Sequence, residues 1–417
     1  MGSLTTSAIL VLITLGFELS RSELVNSTRA GKIFSPFQIV TFPNIACIGS
    51  EARNGTCFTS DECTMKGGTP SGTCAQGFGV CCTFTIGCGA TTSQNCTYLT
   101  QTTTTNPAAD PCIFTICKES PHICRIRLDF ATFAIAGPAI GTAAAAAADD
   151  AVNALKIGDC LTDSFVLSSP GNTASPVICG FNSGQHMIVD ASGSCNQAIF
   201  NFDGTASTRQ FDIKVTQYAC GDENGGPDGC LQYFSGNTGQ LASFNFPTTD
   251  SAIADGTTHL SSQCYNICFR QEEGKCAICF NTVIMGGGVT GNQGSFGLSI
   301  SPDGAAAKGT QDVGCSEDYL QIPGGSRDDT GAMFTVGVLN AFSHVRICGR
   351  FFGFVDAASI VGADNNRESI CTQQRPFRII FKTDADELLV GDAATNEQKL
   401  FPGGIIGFHL DYAQQDC

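Results

Sequence analysis

The run NGTCFTSDECTMKGGTPSGTCAQGFGVCC, residues 54–82, sets five cysteines among glycines, threonines and serines. With Cys47 added, the set is Cys47, Cys57, Cys63, Cys74, Cys81 and Cys82. The stretch has little apolar content of its own, so only crosslinks can hold it together. Cys81 and Cys82 are adjacent, and neighbouring cysteines rarely bond each other because their side chains point apart; each must reach back to a different earlier cysteine. Cysteines continue along the whole chain, 24 in 417 residues. In an exported chain an even set of this kind is a disulfide framework by default. Four-cysteine zinc sites usually come as two CxxC knuckles, whereas CxxC occurs here only from Cys276 to Cys279.

Export is what the first residues predict. MGSLTTSAILVLITLGFELS holds an apolar stretch from Ala8 to Phe17 followed by small and polar residues, which reads as a signal peptide over residues 1–21, with a leader over 22–46. The stretch is too short to span a bilayer. Three glycosylation acceptors, Asn26, Asn54 and Asn95, fit the same route, the third with Cys96 in its middle position. A net charge of −16 gives no broad attraction to phosphate backbones or anionic lipid, which argues against nucleic acid and for basic partners. Residues 130–148 carry no charge, but alanine is barely hydrophobic, Gly137 and Pro138 interrupt the middle, and Asp149 and Asp150 close it. This predicts no transmembrane span, but a loop leading into a short helix capped by Thr142.

Beyond Cys88, short alternating apolar runs such as RIRLDF from Arg125, FDIKV from Phe211 and FRIIF from Phe377 predict a mostly β fold of antiparallel sandwiches. The chain also repeats itself. ICKESPHIC ending at Cys124 corresponds to ICFRQEEGKC ending at Cys276, and CLTDSFVL from Cys160 to CSEDYLQI from Cys315. PVICG ending at Gly180 corresponds to VRICG ending at Gly349, and FNFD from Phe200 to FKTD from Phe381. Four landmarks in one order indicate a duplication. The ICxxxxxxC element reads as a hairpin closed by a bridge, Cys117 to Cys124 in one copy and Cys268 to Cys276 in the other. A bulge would then let Cys264 meet Cys279. On this reading the CxxC is two adjacent rungs of a ladder, since a redox motif should open a helix.

Two resemblances follow from these residues. The front segment, 47–82, resembles a clip domain, the six-cysteine module found ahead of secreted arthropod serine proteases. The resemblance implies pairs Cys47 to Cys81, Cys57 to Cys74 and Cys63 to Cys82. The later landmarks, CIFTI at Cys112, then RLxF, the cysteine before an aspartate, the CG dipeptide, FxxD and a closing aromatic strand, resemble a CUB domain. They imply two CUB-like antiparallel β-sandwiches in tandem, residues 88–220 and 221–417, with bridges Cys88 to Cys112, Cys160 to Cys179 and Cys315 to Cys348. The strings NCTY, PVICG, GQHM and GCLQYF make the whole similar to a group of arthropod secreted CUB-containing proteins. The family's tryptophan is missing, so Phe or Tyr must fill the core. Cys96, Cys195, Cys220, Cys230, Cys371 and Cys417 receive no partner.

Many CUB domains hold Ca²⁺ through a glutamate and two aspartates. By resemblance the aspartates are Asp163 and Asp203 in the first copy, and Asp318 and Asp384 in the second. The glutamate's place falls near Ala136 and near Ser301, with Asp303 as a substitute. Loop aspartates that cap turns are the alternative reading. Enzyme motifs are absent: no HExxH, GxSxG or GDSGG occurs, and none of His122, His186, His259, His344 and His409 sits beside a nucleophile pattern. His186, in GQHMIVD, reads as an outward strand residue. The glycines at 291, 294 and 297 lack a strand-then-helix frame, and Asp328 and Asp329 read as solvated loop carboxylates. The expected function is a secreted, non-enzymatic protein that binds an extracellular protein or a glycan through sandwich loops, with calcium as an aid. A structural matrix or secreted-coat protein, and a regulator of an extracellular protease cascade, are the alternatives.

Overall fold

The computed structural model describes residues 41–50, 52–107, 109–140, 156–203, 207–250, 257–285, 295–298, 309–311, 315–326, 345–349, 352–353, 369–385 and 405–417. The expected signal peptide, Asn26, the helix capped by Thr142, Ser301, Asp303, Asp328, Asp329 and His344 lie outside them. No helix among the described residues is long and apolar enough to cross a membrane.

The front segment is a small sheet around a single helical turn and a half. Strands β1 (Ala46–Ile48), β2 (Asn54–Phe58), β3 (Thr69–Cys74) and β4 (Gly79–Ile86) surround α1 (Ser60–Met65). The Thr59 hydroxyl caps α1 by accepting the Glu62 N–H at 3.2 Å, with Asp61 and Glu62 in the first turn beside the exposed peptide N–H groups. Bridges join Cys47 to Cys81, Cys57 to Cys74 and Cys63 to Cys82, the same pairs that the clip-like order implies. The segment is not a free bead. β4 continues past its cysteines, and Phe84, Thr85 and Ile86 pair in parallel with Thr97, Tyr98 and Leu99 of the following sandwich. Arg53 adds an ion pair to Asp212 at 2.7 Å and lies 4.5 Å from the centre of the Tyr98 ring.

In the first sandwich one sheet contains β6 (Thr97–Thr104), β12 (Arg209–Ala219), β8 (Ile123–Ala134) and β10 (His186–Asp190) in that order. The facing sheet orders β5 (Thr91–Thr92), β7 (Cys112–Ile116), β11 (Asn196–Phe202) and β9 (Asp163–Ser168). The alternation in FDIKV and RIRLDF sends every second side chain inward. Phe114, Phe130, Phe133, Phe165, Phe200 and Phe211 fill the space between the sheets, with Phe200 stacked on Phe211 at 4.1 Å. Each such ring contributes about 1.5–3 kcal/mol by leaving water, and phenylalanine takes the room that tryptophan would fill.

The second sandwich repeats the plan. β14 (Thr238–Ala242), β23 (Gly407–Asp416), β16 (Lys275–Thr282) and β21 (Ile370–Thr372) form one sheet, with β17 (Phe296–Gly297) beside β23. β13 (Cys230–Phe234), β15 (Cys264–Phe269), β22 (Arg378–Lys382), β19 (Tyr319–Ile322), β20 (Val345–Gly349) and β18 (Gly309–Gln311) form the other. β13 runs parallel to β15, as β5 runs parallel to β7. Cys88 is bonded to Cys112, Cys160 to Cys179 and Cys315 to Cys348.

The hairpin reading of ICxxxxxxC is corrected. β7 and β8 lie in opposite sheets, as do β15 and β16, so the polar residues between the cysteines are a crossover from one layer to the other. The two cysteines therefore diverge. Cys117 bonds Cys195 and Cys124 bonds Cys220; Cys268 bonds Cys230 and Cys276 bonds Cys417. Cys264 does not meet Cys279, which faces Cys371 across the β16–β21 ladder and bonds it. Cys264 is an exposed thiol and Cys96 a half-buried one.

The two sandwiches pack through a buried polar seam. His186 is also corrected, because it is buried here rather than turned outward: its Nε2 accepts the Tyr233 N–H at 2.8 Å. Gln185 donates to the Ser243 carbonyl at 3.0 Å, Asn245 N–H to Asn182 Oδ1 at 2.8 Å, and Gln263 to the Val177 carbonyl at 3.0 Å. Gly180, at φ +74°, lets Asn245 approach so closely that a Cβ there would lie 1.8 Å from its Oδ1. The connector is gathered by Arg125, which donates to the carbonyls of Gly225, Pro227 and Cys230 and pairs with Asp190.

Candidate functional site

Strand alternation decides what the expected calcium ligands can do. On β9, Asp163, Phe165 and Leu167 share the inward face; on β12, Arg209, Phe211, Ile213 and Val215 do. The first member of each set is charged, and the two strands belong to facing sheets. Asp163 and Arg209 therefore meet across the end of the interior. Arg209 Nε donates to Asp163 Oδ2 and Nη2 to Oδ1, both at 2.8 Å, with side-chain exposures of 1% and 0%. Nη2 also donates to the Asp203 carbonyl at 2.5 Å and Nη1 to the Thr105 carbonyl at 3.1 Å. Asp163 Oδ2 accepts the Ala136 N–H at 2.9 Å. The hydrogen bonds to Asp163 push the Arg209 pKa up, so the guanidinium stays charged. Two charges shielded from water at the end of the sandwich are tolerable because each has the other and further hydrogen bonds.

The structure thus brings Asp163 and Asp203 together, but around a guanidinium. Both carboxylate oxygens of Asp163 and the Asp203 carbonyl are taken by Arg209. These residues do not fit Ca²⁺.

In the second sandwich Asp318 stands in the same place, two residues before the inward Leu320 of β19, and is 1% exposed. Its Oδ1 accepts the Asp384 N–H at 2.8 Å, and its Oδ2 lies 3.8 Å from His259 Nε2. The position matching Arg209, two residues before the inward Phe408, is the buried Ile406. Among the described residues no three metal-ligating side chains converge, so Asp318 and Asp384 do not make a calcium site by themselves. Burial pushes His259 down to about 4, which keeps it neutral near pH 7.

The two expected glycosylation acceptors among the described residues differ in their surroundings. Asn95 Oδ1 accepts the Cys96 and Gln217 N–H groups, and its amide donates to the Gln217 carbonyl at 3.3 Å. Asn54 is half-buried on β2, its own N–H given to the Tyr98 hydroxyl at 2.8 Å. Of the other histidines, His122 is exposed in a turn, and His409 is buried with its ring 5.5 Å from that of Phe246. A cleft of about 750 Å³ opens over the connector, lined by Arg125, Asp222, Glu223, Asp228, Tyr233 and Arg270. It carries both signs of charge.

Residues 227–415 match the animal CUB domain. The matched segment is the second sandwich, whose strand plan the first sandwich shares. No curated protein matches the chain. Among solved structures, the CUB1-EGF-CUB2 domains of rat MASP-1 align at 14% identity, covering 79% of this chain and 99% of that one, with a TM-score of 0.20. The human MASP-1/3 CUB1-EGF-CUB2 domain aligns at 15%, covering 76% and 98%, with a TM-score of 0.20. The extracellular region of zebrafish Gpr126/Adgrg6 aligns at 12%, covering 79% and 36%, with a TM-score of 0.21. Neither a domain arrangement nor an activity transfers at that similarity.

Sequence reasoning missed Arg209. The signal was present as the two-residue spacing in RQF, which sets a charge in phase with the inward apolar residues. The matching DSF at Asp163 carries the same signal.

Proposed function

We propose that this chain is a secreted, non-enzymatic protein that binds an extracellular protein or a glycan through the loops and seam of two tandem CUB-like sandwiches. The mature chain divides into a cysteine-rich segment, 47–82, a first sandwich, 88–220, and a second, 221–417. The observation that carries the reading is the match of residues 227–415 to a domain that mediates extracellular protein interactions. The bridges that staple both sandwiches suit an oxidising compartment, and the histidines at the seam and in the cores serve as packing and hydrogen-bonding groups. The expected calcium aid gains no support from Asp163 and Asp203, so recognition rests on side-chain and backbone contacts. The test is capture from extracellular fluid by immobilised native protein, in calcium and in chelator, with reduced and alkylated protein as the control. A partner retained by native protein in both conditions supports the reading. Equal retention by the reduced chain, or release of all partners by chelator, contradicts it.

A further inference from the structure

The cation at the end of the first sandwich is part of the chain. We propose that Arg209 is a permanent internal cation that orders this loop end without metal, and that its oxygen cage is a latent divalent-cation site exposed only when the guanidinium is removed. The cage draws on three separate stretches of chain: the Asp163 carboxylate at the start of β9, the Asp203 carbonyl after β11, and the Thr105 carbonyl after β6. Hard oxygens converging from separate segments are what a calcium-sized ion takes. Here a planar fork of N–H groups fills the space instead, bidentate on Asp163, with the Phe202 ring 5.0 Å away. Asp110 secures the floor by accepting the Phe202 N–H at 3.0 Å. A tethered cation cannot be removed by a chelator or diluted away, so this end of the sandwich is indifferent to the calcium level around it. The second sandwich has the buried Ile406 at the position that matches Arg209.

The test uses the full chain, with calorimetry and hydrogen–deuterium exchange in millimolar Ca²⁺ and in chelator. In the wild type, protection of peptides covering residues 103–110, 135–140 and 200–212 is expected to be the same in both. Arg209→Ala is expected to lower the Tm by about 10 °C in chelator, the consequence of leaving a buried carboxylate unpaired. Ca²⁺ is then expected to restore part of the Tm and of the protection in those peptides. A double variant, Arg209→Met with Asp163→Leu, removes both charges and is expected to ignore Ca²⁺. Calcium-dependent protection of these peptides in the wild type overturns the proposal, and this arm decides the matter even if the single variant does not fold. An Arg209→Ala chain as protected as the wild type in chelator also overturns it. A folded Arg209→Ala chain that Ca²⁺ leaves unchanged, or a double variant that responds to Ca²⁺, overturns the latent site.

Discussion

His186 accepts the Tyr233 N–H through Nε2, which requires that nitrogen to carry no proton. Burial, with the nearby Arg127 charge, holds its pKa well below the ordinary 6.5, and burial likewise lowers His259 and His409. Around His186 the charged groups are Arg127, which donates to Asp129, and Asp129 itself, the register partner of His186 on β8; Tyr233 and the Phe234 ring face it from β13. The unfolded chain binds protons at these imidazoles near pH 6.5 and the folded chain does not. Their contribution is therefore complete above pH 6.5 and is lost as the pH falls toward the folded values, about 4 for His259. Urea midpoints measured from pH 7.5 to 5 should fall on the acid side of 6.5. Replacing His186 with Gln, which can still accept the Tyr233 N–H, should flatten that fall; an unchanged slope would show that His186 does not contribute to it.

At the scale of elements, the repeat is carried by a glutamine as much as by cysteines. Gln217 and Gln414 each stand three residues before the closing cysteine of their sandwich. Gln217 accepts the Glu119 N–H at 2.8 Å and donates to the Cys117 carbonyl at 3.0 Å; Gln414 accepts the Glu272 N–H at 3.0 Å and donates to the Arg270 carbonyl at 2.7 Å. Each glutamine thus latches the crossover that follows β7 or β15. Replacing either with Met removes hydrogen bonds to half-buried and exposed peptide groups, at a cost of about 0.5–1.5 kcal/mol per bond. The two costs should add in calorimetry, because the sites share no partner. A loss confined to one of the two would show that the latches are not equivalent. The landmarks made the repeat legible, since CxxD, CG and FxxD keep their order. The crossover was not legible, because two apolar runs joined by a few polar residues fit a hairpin and a change of sheet equally well. Arg209 escaped for a related reason: an arginine at a strand start ordinarily faces water, and only the opposed Asp163 keeps it inside.

For the molecule as a whole, the mostly β tandem plan, the front-segment bridges and the phenylalanine cores were readable from composition, spacing and resemblance. The seam was not, because GQHMIVD alternates in the manner of a strand with one face in water, while here a second sandwich covers that face. Pro43–Cys417 accordingly forms one compact unit.

One two-layer plan is built twice, with each ICxxxxxxC segment passing between sheets. Mass mapping of a non-reduced digest tests this most directly. Linked peptides containing Cys124 with Cys220, and Cys276 with Cys417, are expected; recovery of Cys117 linked to Cys124, and Cys268 to Cys276, would mean that the two segments are hairpins after all.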